Sequence, residues 1–457
     1  METHCEACVQ WAKPLRFQRV CPLLVETPDG VRCSADTADV RPFWNLTGRY
    51  YGGTLAAIYA AVVLTVFIVL RTVGYPISIV HLAWPGLWYR VPQARGWFFS
   101  ERAGRAFAAG KIGEGLLYLV NAYEFDPKNY NVGLALAKHY QLGQPQFSDQ
   151  FFERLMRDHP EHRDATAQDW YRALVARGDF GKAAELAYGE CIADTEHANF
   201  WVRGLLFSTR QRGDDTPLRA LLADKSPAAR PWRQVVETEL SLRAGRTTEV
   251  RAVLTRPWPT KPPAFAIYYR ASVLAALGDT FGSLDLLGSN YDVLGDNTRY
   301  SLQLDVLAGP GGSRKVLMGD VDRLLGQPLR GTDMLPTFTL LCAHLIRFPD
   351  PEIFAKLNAR VEREHLAFDT ESSGIWFSLL CTAGAVGDLS RVHAMVVQLK
   401  TASHSSFRAL DSVETFFNND SGARRATSFL PSLPLPLEVT YALIERYPGP
   451  PPAANKP

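Results

Sequence analysis

The sequence predicts a mainly α-helical protein: an α-solenoid of helical hairpins, preceded by one transmembrane helix and a small cysteine-rich head. Three observations predict this architecture. Glycines return every 32 to 35 residues through the middle of the chain, an uncharged run of 20 residues lies at 51–70, and four of the seven cysteines lie within the first 33 residues. At 457 residues the chain is too long for one ordinary hydrophobic core, which favours a repeat array.

The composition is that of a folded protein, with 47% hydrophobic and 21% charged residues. Basic residues number 49 and acidic residues 47, which gives a net charge of +2 without a long run of one sign. Because nucleic-acid binding needs clustered Lys and Arg, we expect no nucleic-acid partner. Three cysteines far along the chain stand in apolar helical surroundings, where a free cysteine packs as a small hydrophobic side chain. They are Cys191, Cys342 and Cys381.

The run from Tyr51 to Leu70 predicts a transmembrane helix in contact with membrane lipid. At about 1.5 Å per residue, 20 residues cover roughly 30 Å, the thickness of the bilayer hydrocarbon. Arg49 and Arg71 bracket the run, and aromatic residues lie at both edges, as suits the headgroup region. One alternative is a buried core helix, which is rarely so apolar on every face. The other is a cleaved signal peptide, whose charged region would be unusually long.

A second apolar stretch follows at 74–89 and contains Pro76, His81 and Pro85. We expect it to lie on the membrane surface, with a short second crossing as the alternative. Three arginines lie just before the span and two just after it, so the positive-inside rule leans toward a cytoplasmic N-terminus in a single-pass protein. With one crossing the repeats then lie outside the cytoplasm, and with two crossings they lie inside it.

The cysteines of the head predict a structural metal site. They follow the pattern C-x2-C, then one cysteine after twelve further residues and another after eleven more. Two thiolates of a C-x2-C turn hold one tetrahedral Zn²⁺, and two more ligands come from elsewhere. Because so small a head has a thin core, zinc would supply the missing folding free energy. The candidate ligands are Cys5, Cys8, Cys21 and Cys33, with Asp36 or His4 as alternatives.

The pattern at residues 4–36 resembles zinc-ribbon and B-box-like zinc fingers. The chain departs from those fingers because Leu24 stands where Cys21 would have its C-x2-C partner, and Asp36 stands where Cys33 would have one. The site is therefore either all four cysteines or the set Cys5, Cys8, Cys33 and Asp36. Three other interpretations are a degenerate finger without metal, two disulfides in a head outside the cytoplasm, and a disordered tail.

Six glycines close helix-like apolar runs in the middle of the chain. They are Gly110, Gly143, Gly178, Gly213, Gly245 and Gly278. Glycine suits a helix C-terminus that needs a left-handed backbone. Five positions later a small residue stands where two helices would approach closely. These small residues are Gly115, Ser148, Ala183 and Ser283. Prolines end second helices near Pro127, Pro160 and Pro262.

The unit resembles the tetratricopeptide repeat, a helix–turn–helix of about 34 residues. The best match is AFAAGKIGEGLLYLVNAYEFDPKN at residues 106–129, whereas the family's first-helix Trp and Gly are mostly absent from later units. The resemblance implies stacked hairpins with a concave surface that holds a protein or peptide partner. Trp170, Trp201, Trp232 and Trp258 recur near the repeat spacing, and core packing is the favoured interpretation over a stacking platform.

No catalytic motif stands out in the sequence. HPEH at 159–162 and GPGGSRK at 309–315 are predicted to be turns between helices, not a metal pair or a phosphate loop. We therefore predict a membrane-anchored scaffold or adaptor and not an enzyme, on the strength of architecture. The alternatives are an accessory subunit of a membrane enzyme or secretion complex, and an enzyme with an unrecognised site in residues 291–446.

The expected organisation has six parts. They are the cysteine-rich head at 1–48, the transmembrane helix at 50–72, an interfacial segment at 73–99, tetratricopeptide-like repeats at 100–290, irregular helical repeats at 291–446 and a disordered proline-rich tail at 447–457.

Overall fold

The computed structural model shows a mainly helical chain, as the sequence predicts. The residues that the structure describes are 24–27, 30–33, 43–193, 196–258, 261–327, 334–368, 372–403, 408–419 and 423–449. They divide into two compact units, Met1–Val132 and Gly133–Pro457, which are described separately below.

The first described elements of this unit are a pair of short strands, which the sequence did not predict. Strand β1, Leu24–Thr27, pairs antiparallel with β2, Gly30–Cys33, and the register sets Leu24 opposite Cys33. Helix α1, Phe43–Val73, follows. Within it Tyr51–Val73 is long and apolar enough to span a membrane, with a mean hydropathy of 2.5 and only 6% of that window buried. No other helix of the described residues meets the same test.

Short helical pieces follow α1, because Gly74 and two prolines interrupt the apolar stretch. They are α2, Ile79–Ala83, and a 3-10 turn, Pro85–Leu87. Two longer helices then form a hairpin, α3, Arg90–Ala108, and α4, Ile112–Phe125. The hairpin is tight at Gly115, where a Cβ atom would come within 2.6 Å of the Phe107 ring. The predicted close approach of two helices at this position is thus confirmed.

Helix α5, Tyr130–Tyr140, leads into the second unit, whose helices follow one another with short turns. The first set is α6, Pro145–Asp158; α7, Arg163–Arg177; α8, Phe180–Ala193; α9, Ala198–Arg212; α10, Thr216–Ala223; α11, Arg233–Arg243; α12, Thr247–Thr255; α13, Ala264–Ala276; and α14, Thr280–Ser289. The second set is α15, Tyr291–Leu294; α16, Asp296–Ala308; α17, Arg314–Leu325; α18, Met334–Arg347; α19, Pro351–Arg363; α20, Ser373–Val386; α21, Leu389–Ser403; α22, Arg408–Asn418; and α23, Leu437–Arg446.

Many helices pack on a neighbour in the sequence, and alternate helices also pack on each other. Helix α18 packs mainly on α23 and α20. The row of alternating helices α9, α11, α13, α16, α18 and α20 is continuous, since each contacts the next by packing or hydrogen bonds. Such packing is expected when paired helices stack side by side and share a core.

The six glycines predicted at helix ends have the expected backbone conformation, with one exception. Five of the six predicted glycines have a left-handed backbone, with φ between 70° and 86°. Gly143 has no positive φ. Helix α5 ends instead with the Gln144 amide donating to the Tyr140 carbonyl at 2.9 Å, so the turn needs no left-handed residue there. The later Gly387 ends α20 in the same left-handed way.

The small residues five positions after these glycines are buried, as predicted. Ser148, Ala183 and Ser283 are each 0% exposed, and the Ser148 hydroxyl donates to the Ala137 carbonyl at 2.7 Å. Leu218 and Val250, which break the small-residue pattern, are also 0% exposed. This position therefore faces the interior in these repeats whether the side chain is small or large.

The predicted start of the disordered tail, at residue 447, lies too early in the chain. Tyr447, its first residue, is 8% exposed, and its ring packs against Phe416 and Phe417. Its carbonyl also accepts a hydrogen bond from the Ala426 amide at 3.2 Å. The folded part thus continues past the predicted boundary because an aromatic side chain is anchored in the core, and residues 450–457 lie outside the described part.

Candidate functional site

The C-terminal helix α23 lies inside the second unit and not at its end. Seven of its ten residues are buried, on nearly every face of the helix. The Phe207 and Tyr441 rings lie 3.9 Å apart between centroids, and the Tyr171 and Tyr441 hydroxyls are 2.8 Å apart. Helices α7, α9 and α18 pack against it, so α23 occupies an interior position among these helices.

A cavity of about 480 Å³ remains beside α23, and we call it the inner cleft. Helices α9, α13, α16 and α18 contribute to its wall, together with the start of α23. Its lining residues are Arg203, Phe265, Tyr268, Asn297, Thr298, Ser301, Thr339, Leu340, Pro436 and Glu438. A smaller chamber of about 190 Å³ adjoins it and shares Arg203, Phe265 and Tyr268. Hydroxyl and amide groups in this wall can both donate and accept hydrogen bonds.

The charged groups of these two cavities are paired with one another. Arg203 contacts Glu438 at 3.4 Å and lies 5.3 Å from the centre of the Tyr441 ring. Arg347 contacts both Asp305 and Glu445, each at 3.0 Å. Burial lowers the pKa of a guanidinium, but Asp305 and Glu445 outweigh that effect and raise the pKa of Arg347. The cleft therefore has balanced charge and no surplus that would select an anion or a cation.

A buried carboxylate behind the smaller chamber joins three helices of the row by hydrogen bonds. Glu239 is 2% exposed, and its two oxygens accept bonds from Arg210 at 2.7 and 2.6 Å. Tyr269 donates to it at 2.7 Å and Arg243 at 2.9 Å. Burial alone would raise the pKa of Glu239, but Arg210, Tyr269 and Arg243 outweigh it and lower that pKa to about 2. Three adjacent helices, α9, α11 and α13, are joined through this one side chain.

A second, wider groove lies along α7 and has a volume of about 850 Å³. One wall is the segment 430–437, which runs from a 3-10 turn at Leu430–Ser432 to the start of α23, and the other includes Gln168, Arg172 and Phe200. Its charges are also paired, since Asp169 contacts Lys138 at 2.8 Å and Arg172 at 2.9 Å. We take the inner cleft as the candidate site because polar side chains of successive helices converge there at related positions of the repeat.

Two features of the second unit resemble parts of catalytic sites, and the geometry places both in the core. His344 Nδ1 lies 2.7 Å from an Asp305 oxygen, yet His344 is 1% exposed and lines neither cavity. Cys191, Cys342 and Cys381 are each 0% exposed, which confirms their predicted core location. Burial raises the pKa of the Cys191 and Cys342 thiols to about 12, so neither forms a nucleophilic thiolate near neutral pH.

The predicted zinc ligands are mostly outside the part of the chain that the structure describes. Cys5, Cys8, Cys21, His4 and Asp36 all lie outside it, and only the backbone of Cys33 is described, as the last residue of β2. The structure therefore neither groups these ligands nor separates them. Among the described residues, no cluster of three or more His, Cys, Asp or Glu side chains could hold a metal ion.

The tryptophans at repeat spacing are core residues, as the sequence analysis favoured. Trp201 is 0% exposed and Trp232 is 2% exposed. Trp170 donates from Nε1 to Asp149 at 2.9 Å, and the guanidinium of Arg270 lies 4.1 Å from the centre of the Trp258 ring. None of the four lines the inner cleft.

Sequence reasoning missed the residues of the inner cleft, although a signal was present. Tyr268, Ser301 and Thr339 follow one another at intervals of 33 and 38 residues, close to the repeat length. Polar or amphipathic residues at such intervals, on helices that pack on one another, mark one shared face. The other lining residues, Pro436 and Glu438, gave no such signal, because they lie at the start of α23, far away in the sequence.

The described residues form a mainly helical protein that has one helix long and apolar enough to span a membrane and, in the second unit, a polar cleft between packed helices. No family model matches the chain, and no curated protein sequence is similar to it.

Proposed function

We propose that the protein is a membrane-anchored scaffold whose second unit, a tetratricopeptide-like solenoid, binds a segment of a partner protein in the inner cleft. The cysteine-rich head would hold a structural zinc ion and contact a further partner or regulate assembly. The chain would cross the membrane once, with its N-terminus in the cytoplasm.

The anchoring is supported by the surface of α1. A core helix of a soluble protein would be largely buried, whereas Leu55, Ile58, Val62 and Val69 are each more than half exposed. Exposed aliphatic side chains around a long uncharged helix are costly in water and favourable in lipid. The same observation disfavours the buried-core interpretation of the span.

Partner binding is supported by the wall of the inner cleft, which is the observation on which the proposal rests. Asn297, Thr298 and Ser301 line one face with amide and hydroxyl groups, which can bond to an extended peptide backbone. Phe265 and Tyr268 add an aromatic surface beside them. The paired charges of Arg203 and Glu438 suit a mixed polypeptide segment better than a small ion.

The accessory-subunit hypothesis shares this geometry and differs in the number of partners. The hypothesis of an enzyme in residues 291–446 is supported by the ionisable groups of that region, but those beside the cleft are paired with one another. Asp305, for example, contacts His344 through one oxygen and accepts from Arg347 through the other.

A photo-crosslinking amino acid at Ser301 tests the proposal in intact membranes. The matched control carries the same residue at Ser289, an exposed position at the end of α14. We expect a protein adduct from position 301 that is lost on Tyr268→Ala and absent from position 289. Adducts with several proteins favour a scaffold, and a single adduct favours an accessory subunit. No protein adduct at position 301 would refute binding in the cleft.

Metal analysis of the purified full chain tests the head separately. We expect about one zinc per chain in reducing buffer, and its loss in the double variant Cys5→Ser and Cys8→Ser. The matched control, Cys191→Ser, changes a cysteine that is 0% exposed in the helical unit and leaves the zinc content unchanged. A wild-type zinc content near zero would remove zinc from the account.

A further inference from the structure

The segment after α1 turns back along the helix that it follows. Gly74 has φ of 101°, and its amide donates to the Arg71 carbonyl at 3.0 Å. The next amide, of Tyr75, donates to the Leu70 carbonyl at 3.0 Å, so the chain reverses direction within two residues. Glycine is required here because of the left-handed backbone, and because a Cβ atom would lie 3.2 Å from the Phe98 ring.

One hydrogen bond shows how far along α1 the returning chain extends. The Tyr59 hydroxyl donates to the Ala83 carbonyl at 2.6 Å. Tyr59 precedes Val73 by 14 residues in the same helix, which corresponds to about 21 Å along the helix axis. The chain from Gly74 to Ala83 therefore runs antiparallel to α1 for more than half of the candidate span. Val63, in the middle of that span, is only 8% exposed, and Ile77 is 4% exposed.

The chain then returns to the C-terminal end of α1. A 3-10 turn at Pro85–Leu87 forms the tip, and Trp88 Nε1 donates across it to the Leu82 carbonyl at 2.9 Å. Helix α3 leads back, so that the Phe98 ring lies 4.7 Å from the Tyr75 ring. The segment from Gly74 to Phe98 thus begins and ends beside the same end of α1.

The backbone of the non-helical part is satisfied within the segment, which a lipid environment requires. The Ile77 amide donates to the Tyr75 carbonyl at 2.9 Å, and the Ser78 amide lies 3.4 Å from His81 Nδ1. Pro76 has no amide hydrogen to satisfy. With the amides of Gly74 and Tyr75 bonded to α1, every backbone donor from Gly74 to Ser78 has a partner.

The side chains of this segment as far as Tyr89 also suit lipid, whereas Arg90 and Arg95 lie on the returning helix α3. No Asp, Glu, Lys or Arg occurs between Arg71 and Arg90. Val80 is 54% exposed, and Trp84 is 66% exposed. Arg90 is the charge nearest to the tip, and its Nε donates to the Tyr89 hydroxyl at 3.2 Å. A long arginine side chain can extend toward the headgroups while its methylene groups stay in the hydrocarbon.

From these contacts we propose that residues 75–97 form a re-entrant arm, which enters the bilayer beside the span and leaves it on the same side. Its partner is the lipid of that leaflet. The proposal rests on the membrane anchoring proposed above and adds a topology that differs from both a flat surface segment and a second crossing. Because the arm does not cross, residue 100 and everything after it lie on the side of Arg71.

Depth-dependent fluorescence quenching tests the arm in the full-length protein. A fluorescent amino acid replaces Trp84 at the tip of the arm or Val73 at the end of the span, both exposed positions. The protein is reconstituted in phosphatidylcholine vesicles that carry bromine either near the headgroup or deep on the acyl chain. We expect deep bromine to quench position 84 about twofold more than shallow bromine, and the reverse preference at position 73.

The other outcomes separate the alternatives. A shallow profile at position 84 would overturn the arm in favour of a surface segment. Quenching of a label at Ser100 by iodide from the side opposite to position 73 would overturn it in favour of a second crossing. If neither position 73 nor position 84 is quenched by lipid bromine, while a label at Phe281 remains aqueous, the anchoring itself fails along with the arm.

Discussion

Tyr171 and Tyr441 lie 270 residues apart in the sequence, and their hydroxyl groups share a buried hydrogen bond of 2.8 Å. Tyr171 donates its own proton to the Gly204 carbonyl at 2.9 Å, so it accepts the proton of Tyr441. Burial raises the pKa of Tyr171 to about 12, which keeps this hydroxyl protonated at neutral pH. The pair joins α23 to two helices from the start of the second unit. The stability of the unit therefore depends on its last helix.

Substitution of Tyr441 tests this dependence. Tyr441→Phe removes one buried hydrogen bond and should lower the free energy of unfolding of the second unit by about 1 kcal/mol. Tyr441→Ala also removes the ring that packs on Phe207, and should cost about 3–5 kcal/mol. Denaturant unfolding measures both. Tyr291→Phe, at a residue that is 59% exposed, is the control and should change little. Equal stabilities for wild type and Tyr441→Ala would show that α23 is not part of the core.

The Glu239 carboxylate predicts a specific dependence of stability on pH. Its pKa falls from 4.5 in an unstructured chain to about 2 in the fold, because Arg210, Tyr269 and Arg243 favour the charged form over the effect of burial. A depressed pKa stabilises the fold above the unfolded value, and this contribution is lost as the pH falls toward the folded value. The full contribution is about 3 kcal/mol above pH 5.

Denaturant unfolding of wild type and Glu239→Gln from pH 6 down to pH 3 measures this contribution. The difference between the two proteins should be largest near pH 6 and should shrink as the solution becomes more acidic. Glu153→Gln, at an exposed position of α6, provides the control and should show no such trend. A difference between wild type and Glu239→Gln that stays constant over this range would contradict the paired carboxylate.

Two helical glycines make a matched pair for the packing of the second unit. A Cβ atom at Gly384 in α20 would overlap the Phe417 ring, whereas one at Gly189 in α8 meets nothing within 4 Å. Gly384→Ala should therefore destabilise the unit by about 1–3 kcal/mol through overpacking. Gly189→Ala should stabilise it by up to about 1 kcal/mol through helix propensity. Thermal unfolding measures both, and shifts of the same sign would mean that the α20–α22 contact is not as close as described.

The three cysteines of the second unit should be unreactive in the folded state. Cys191, Cys342 and Cys381 are buried, and burial raises the pKa of each thiol. We expect iodoacetamide at pH 8 to label them less than a hundredth as fast as a free thiol, and at full speed in denaturant. Mass spectrometry of individual peptides separates them from the cysteines of the head. Rapid labelling of Cys342 without denaturant would place it at a surface.

Local signals in the sequence predicted a large part of the fold. A left-handed glycine ends a helix through its own backbone, so Gly178 and Gly213 revealed their helix ends without reference to distant residues. The small residue at Ser148 revealed a close contact for the same reason. Helix α1 was predicted because its uncharged run is long and apolar enough to span a membrane.

The inner cleft could not be predicted in full, because it depends on contacts between residues far apart in the sequence. Arg203 meets Glu438 across 235 positions of sequence, and nothing near either residue indicates the other. Helix α23 has buried apolar residues, but nothing in its own sequence indicates which distant helices bury them. The arm after Gly74 was missed for a similar reason, since the pairing of Tyr59 with Ala83 joins two elements that each suit a membrane independently.

Alkaline carbonate extraction of membranes tests the central claim, that α1 anchors the protein in a bilayer. We compare the wild-type chain with a double variant, Leu55→Arg and Leu64→Arg, which places two charges in the span at about 2.5–3.5 kcal/mol each. Leu142→Arg with Val316→Arg adds the same charges at exposed sites outside the span as the control. Wild type and control should stay in the membrane pellet while the span variant is released. Release of the wild-type protein by carbonate would contradict the membrane-anchored scaffold.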